Sequence, residues 1–135
     1  KIISPAENYN SNEKDTNLNS IVARLTFGEN SFLFMGDLPA EGEQSLISEK
    51  SELSSDVLKI GHHGSKYSGS VEFLKAVNPH DAIISVGANN RYGHPAPEIM
   101  ERLKNMSVNI FQTDEKGDII YKCQNPNSQC QIMAN

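Results

Sequence analysis

The chain has 135 residues, room for one domain and not two. Its 17 acidic residues against 12 basic ones leave a formal net charge of −5. That argues against a sequence-independent module that grips nucleic acid through many Lys and Arg contacts to phosphate. A metal enzyme acting on phosphates is not excluded, because a bound cation adds positive charge that the count omits. No apolar run approaches the ~18–20 residues of a membrane-spanning helix, and no secretory signal is visible. The chain opens on Lys1 rather than Met, which leads us to expect a product processed or cut from something longer.

Residues 5–19 are polar and rich in Asn, a loop with little to bury. We take residues 1–16 and 124–135 as loop and tail around one domain. In 20–27, Ile21, Ala23, Leu25 and Phe27 alternate with Arg24 and Thr26, which predicts a strand with its Leu25 face half-buried. A turn at Gly28-Glu29-Asn30 and the apolar run 31–35 complete a β-hairpin, followed at once by Gly36-Asp37. Residues 40–50 read as a helix weakened by Gly42. Residues 56–60 are a short buried strand that ends in Gly61-His62-His63-Gly64-Ser65. A helix over 71–77 stops before Asn78-Pro79, since the residue ahead of a proline disfavours helix. Residues 82–86 form a buried strand running into the loop 87–95. The clearest helix is 97–106. Pro97 suits its first turn, Glu98 and Glu101 its positive end, and Ile99, Leu103 and Met106 form an apolar stripe. Strands over 108–111 and 118–122 are expected to close the domain as a hairpin turning at 114–117. The sum is an α/β layered domain. Cys123 and Cys130 are spaced wrongly for a zinc knuckle; a small disulfide loop and two unrelated thiols both fit.

Four strand ends carry residues with chemistry beside a glycine: Gly36-Asp37, Gly61-His62-His63-Gly64-Ser65, Ser85-Val86-Gly87 and Gly93-His94-Pro95. Rigid strands can aim such side chains at one point, and glycine lets the backbone turn sharply beside them. Asp37 follows an apolar strand, where a half-buried carboxylate needs a partner; it suits either a bridge between cations or the cap of the helix that follows. His62 and His63 point to opposite faces if extended, and converge only if the backbone turns between Gly61 and Gly64. They are metal ligands or simply polar residues at a strand end. Ser65, Ser68 and Ser70 with Gly64 and Gly69 form a small-residue loop, either a cradle of N–H groups for phosphate or a flexible turn. His94 is a candidate ligand or general acid, or else a loop histidine ahead of a helix. Arg91 and Tyr92 before it fit contact with an anionic substrate as well as they fit a solvated loop. His80, Asp114 and Asp118 are assigned local structural roles.

The segments NLNSIVARLTFGENSFLFMGD, DVLKIGHHGSKYSGS, AIISVGANNRYGHPAPEIMERL and TDEKGDI, in that order, resemble the metallo-β-lactamase superfamily, and more narrowly the ComEC-like hydrolase domains of competence DNA-uptake proteins. The resemblance spans residues 17–122. It implies an αββα sandwich with the site at one edge of its two sheets. It implies that Asp37 bridges two metals, that His62 or His63 ligates, and that His94 completes the site or assists the leaving group. The implied catalytic residues are His63 and His94; the implied metal set is Asp37, His62, His63 and His94. Zinc is the expected ion, with manganese as the other candidate, one or two ions per complete domain. The implied reaction is hydrolysis of a phosphodiester, DNA included, by metal-activated water. Other hydrolases on the same scaffold are the alternatives: a phosphorylcholine esterase, a thioester hydrolase or a lactamase.

The superfamily's H-x-H-x-D-H signature is absent; all four histidines lie at position 62 or later. Two zinc sites want about six protein ligands, and three or four are present. We therefore expect only the C-terminal half of the sandwich here, with the missing N-terminal half as partner and self-association of the isolated piece. A non-catalytic binding or assembly module is the further alternative. An extracytoplasmic, membrane-associated parent is implied by the resemblance, although this chain carries no transmembrane segment.

Overall fold

The computed structural model describes residues 1–5 and 16–134. Among them eight strands and four helices alternate as a mixed α/β fold. One sheet has six strands in sequence order: β1 (Ile2–Ser4), β2 (Val22–Phe27), β3 (Asn30–Phe34), β4 (Val57–Lys59), β5 (Asp81–Ile84) and β6 (Asn109–Gln112). The first three run antiparallel, with Phe27 opposite Asn30 closing the β2–β3 hairpin. From β3 onward the strands are parallel. Parallel neighbours need crossovers, supplied here by α1 (Ala40–Ser48), α2 (Val71–Val77) and α3 (Pro97–Asn105). A further turn of helix, α4 (Thr113–Lys116), follows β6.

All three crossover helices bury their apolar sides on one face of the sheet. Leu33, Leu58, Ala82 and Ile84 from the strands, with Met35 and Ile60 just past the ends of β3 and β4, pack with Leu46, Phe73, Leu74, Val77, Ile99 and Leu103 from the helices. The stripe expected over 97–106 is thus real, with Ile99 and Leu103 fully buried. α2 stops where Asn78 turns left-handed, and the Ser70 hydroxyl caps its start by accepting from the Phe73 N–H (3.3 Å).

The alternation in β2 has the opposite sense to the one expected. Val22 is the residue turned into the core, while Ile21 and Leu25 are 63% and 55% exposed. The sequence pattern reveals two faces but not which of them a neighbour covers. The reason lies in the pairing: Leu25 sits opposite Phe32, and Phe34, Lys59 and Ile83 follow in register. All these belong to the face away from the helices. That face is an apolar groove of about 490 Å³, lined by Leu25, Phe27, Phe34 and Ile83 and flanked by Ile119 and Tyr121.

The closing hairpin is also corrected. β6 pairs with β5 at the sheet edge, and β7 (Ile119–Lys122) pairs instead with β8 (Gln131–Ala134) as a separate two-stranded ribbon. Residues expected as a C-terminal tail therefore contain a strand, and residues expected as an N-terminal loop contain β1. Most of the Asn-rich stretch, 6–15, lies outside the described residues, and 16–19 form a turn of 3-10 helix. Cys123 and Cys130 form a disulfide across the ribbon. Asn30 ties that loop to the β2–β3 turn: its amide donates to the Ser128 carbonyl (2.8 Å) and accepts from the Cys130 N–H (2.7 Å). Tyr121 closes the ribbon onto the sheet, edge-on to Phe32 and donating to Asp81 (2.8 Å).

Candidate metal centre

Because β3, β4 and β5 are parallel, their C-terminal ends share one edge of the sheet, the edge outside which open α/β sheets place their ligands. Asp37 follows β3, His62 and His63 follow β4, and Ser85 and the His94 loop follow β5. Backbone hydrogen bonds lock these turns together. The His62 N–H donates to the Gly36 carbonyl (3.0 Å), and the Ala96 N–H donates to the Gly64 carbonyl (2.8 Å). A Cβ on Gly61 would stand 2.9 Å from the Leu38 carbonyl oxygen. One on Gly64 would stand 2.9 Å from Pro95, and its φ is +77° besides. The glycines in the GHHG run are therefore what lets three turns meet.

His62 and His63 do not lie on an extended strand. Both adopt left-handed backbone conformations, with φ of 49° and 53°. Such positions cost about 1 kcal/mol or more for a non-glycine residue and persist where surrounding packing imposes them. The turn sends the two rings to different partners. The Nδ1 of His63 lies 2.7 Å from the Ser85 carbonyl oxygen. A carbonyl only accepts, so Nδ1 carries a proton, and Nε2 is the nitrogen left to face outward. That Nε2 lies 3.6 Å from Oδ1 of Asp37. The separation is long for a hydrogen bond. It is close to the ~3.4 Å between two donors on one tetrahedral ion at ~2.1 Å. A ring anchored through its other nitrogen to a carbonyl is the usual arrangement of a metal-binding histidine.

The capping alternative for Asp37 fails on position. The residue before α1 is Pro39, and no side chain caps the helix. Instead the Asp37 backbone N–H donates to Ser20 Oγ (3.1 Å), leaving the carboxylate facing His63.

His62 pairs with His94. Their rings meet edge-on, 6.0 Å apart, and the Nδ1 of each is buried without a hydrogen-bond partner. Burial, with the positive charge of His62 and then His63 nearby, holds His94 below the usual imidazole value of 6.5, so its neutral form prevails at pH 7. The four predicted residues thus gather at one edge as two pairs, Asp37–His63 and His62–His94. Among the described residues no group of three or more His, Cys, Asp or Glu is placed to hold a metal ion. The donors present suit two ligands of a site and not a whole set.

Two residues of this region escape a reading of the sequence. Lys59, on β4, lies on the apolar face; burial lowers its pKa, and the nearby Asp37 carboxylate partly counters that. The one signal was a cation inside an otherwise apolar short strand. Glu43, on α1, is fully buried. Its carboxylate accepts from the Gly69 N–H (2.6 Å), the Ser70 N–H (2.9 Å) and the Ser70 hydroxyl (2.8 Å). Nothing in a helical segment rich in Glu distinguishes it. Glu43 also settles the small-residue loop. The N–H groups of Gly69 and Ser70 are spent on it, and the Ser68 hydroxyl donates to Gly61 and Ser65 carbonyls, so these three groups already have partners in the protein. His80, Asp114 and Asp118 stay outside the cluster; Asp118 and Asp114 are exposed, and the His80 N–H donates to the Asp56 carbonyl.

No protein-family model matches the chain. It is similar to ComE operon protein 3 of Bacillus subtilis, 41% identical over 109 residues that make up 81% of this chain and 14% of that protein. It is also similar to competence protein ComA of Neisseria gonorrhoeae, 39% identical over 76% of this chain and 15% of that protein. A third relative is recombination protein 2 of Haemophilus influenzae, 36% identical over 88% of this chain and 14% of that protein. The chain spans about a seventh of the length of these relatives, and its homologues are competence-related proteins.

Proposed function

We propose that this chain contributes half of a metal-dependent phosphodiesterase site of the metallo-β-lactamase type, acting on DNA during its uptake. One observation carries the reading: His63 is anchored by Nδ1 to the Ser85 carbonyl while Nε2 faces the Asp37 carboxylate at 3.6 Å. Relatives named for competence and recombination support DNA as the phosphodiester. In this reading Asp37 and His63 hold a divalent cation, zinc or manganese, and the remaining ligands come from polypeptide outside these 135 residues. The same polypeptide supplies a second layer over the apolar face of Leu25, Phe34 and Ile83, completing an αββα sandwich. An uncovered groove of about 490 Å³ on a sheet face supports that role.

The bound cation would acidify a water molecule and stabilise charge on the phosphoryl oxygens. Asp37 balances that positive charge and fixes the site's position at the end of β3. His63 is kept in one tautomer by Ser85. His94, neutral at pH 7, offers a lone pair to ligate or to take a proton at the rim. Lys59 lies near enough to Asp37 for its charge to be felt there, a further cation beside an anionic substrate.

The absence of a three-donor group among the described residues favours a second reading, a non-catalytic binding module. Turnover of bis(p-nitrophenyl) phosphate by the intact protein, stripped of metal and then given zinc or manganese, separates the two. The proposal expects metal-restored hydrolysis that Asp37→Ala abolishes, with a β-lactam and a thioester left untouched. Metal-independent turnover, or normal turnover by Asp37→Ala, contradicts it.

A further inference from the structure

The loop between β5 and α3 holds an aromatic ring in the open beside the candidate site. Tyr92 is 70% exposed. An exposed tyrosine on a glycine-flanked loop would ordinarily be mobile, but this loop is pinned by a single side chain. The Asn90 amide donates to the Gly87 carbonyl (3.2 Å) and the His94 carbonyl (2.7 Å). Its oxygen accepts from the N–H groups of Tyr92 (3.2 Å) and His94 (3.0 Å). The Tyr92 ring stacks on His94, 5.9 Å between centroids and 19° from parallel. The guanidinium of Arg91 lies over the same ring at 5.5 Å, and among the described residues it has no ion pair. The result is a fixed aromatic plate with a cation at its surface, seated against a histidine of the candidate site.

A plate of this kind has a definite chemical match. A planar π-face stacks on tyrosine, and a guanidinium adds cation–π attraction and a partner for phosphate. A nucleotide presents both together when its base is free of a duplex, since paired bases keep their faces stacked on one another. We propose that Tyr92 and Arg91 form a stacking subsite for an unpaired nucleobase next to His94, so that the substrate enters as a single strand. This rests on the phosphodiesterase reading for the strand's fate, but not for its binding.

The test is binding in the presence of a chelator, where no turnover occurs. A fluorescent twelve-residue oligothymidylate is titrated into the intact protein carrying residues 1–135, alongside an abasic strand of equal length and a duplex. The subsite predicts preference for the oligothymidylate over both. Tyr92→Ala should weaken that binding about tenfold, with the abasic strand unaffected, and Tyr92→Phe should restore it. Arg91→Ala should weaken both single strands and lower the salt dependence by about one counterion. An oligouridylate arm reports whether the sugar is read, and base-dependent binding of either strand supports the subsite. Equal affinity for abasic and base-bearing strands, or an unchanged Tyr92→Ala, overturns it. Because Tyr92 is exposed, an unchanged melting temperature shows that the variant is folded. If base-dependent binding persists while phosphodiester turnover is absent, the catalytic reading fails and this one stands.

Discussion

Replacing Glu43 with alanine puts the support of the site under direct strain. The carboxylate is fully buried and takes two backbone N–H groups, from Gly69 and Ser70, and the Ser70 hydroxyl. The hydroxyl can turn elsewhere, but the two N–H groups cannot. Each buried donor left unsatisfied costs about 1–3 kcal/mol, so the loss is about 3–4 kcal/mol after relief of the buried charge. Domains of this size have about 5–15 kcal/mol in total, and a kcal/mol is worth about 3–5 °C. Thermal unfolding followed by circular dichroism should therefore drop by about 10–15 °C. Glu43→Gln keeps one acceptor and should lose roughly half as much. Burial raises the Glu43 pKa above the ordinary 4.5, against the pull of its hydrogen bonds. The folded state then binds that proton more tightly than the unfolded chain. Its contribution is greatest below about pH 4.5 and fades as pH rises through the folded-state value, a dependence Glu43→Gln should remove. A fall of less than about 3 °C for Glu43→Ala would refute the view that this carboxylate holds the loop behind His63.

Other outcomes follow from the same geometry. In an NMR titration of metal-free protein, His94 should titrate below 6.5, and His62→Gln should move its midpoint upward by removing a neighbouring charge. A midpoint unmoved by that change would mean the two rings are not electrostatically coupled. Lys59→Met should raise stability by about 0.5–1 kcal/mol in urea unfolding, since it removes a partly desolvated cation from an apolar face; a loss would show that the lysine is satisfied there. The isolated 135-residue chain should self-associate through the Leu25–Phe34 face in sedimentation velocity, and Phe34→Glu should restore a monomer. A monomeric wild-type chain would mean that this face needs no cover.

Local rules made much of the fold legible. The β2–β3 hairpin, the helices at 71–77 and near 97–105 and the glycine-bounded histidine turn all follow from turn chemistry and periodicity. What escaped depends on neighbours distant in the chain. The strand at 20–27 shows two faces, and only the crossover helices decide that Val22 rather than Leu25 is buried. The strand at 119–122 pairs forward to 131–134, and α4 stands between it and β6 in the chain. At the site, residue types and spacing brought Asp37, His62, His63 and His94 to one edge. Which histidine meets the carboxylate was set by left-handed backbone at both histidines and by the Ser85 carbonyl, neither visible in a string of letters.

In the proposed function Asp37 and His63 share one cation. The most direct measurement is zinc affinity of the intact protein, by competition with a chromophoric chelator, for the wild type, Asp37→Asn and His63→Ala. Losing a group that merely orients a ligand costs about 10–100-fold, so losing either ligand should weaken binding by about 100-fold or more. Affinities unchanged in both variants would show that the carboxylate and the imidazole face each other for some other reason.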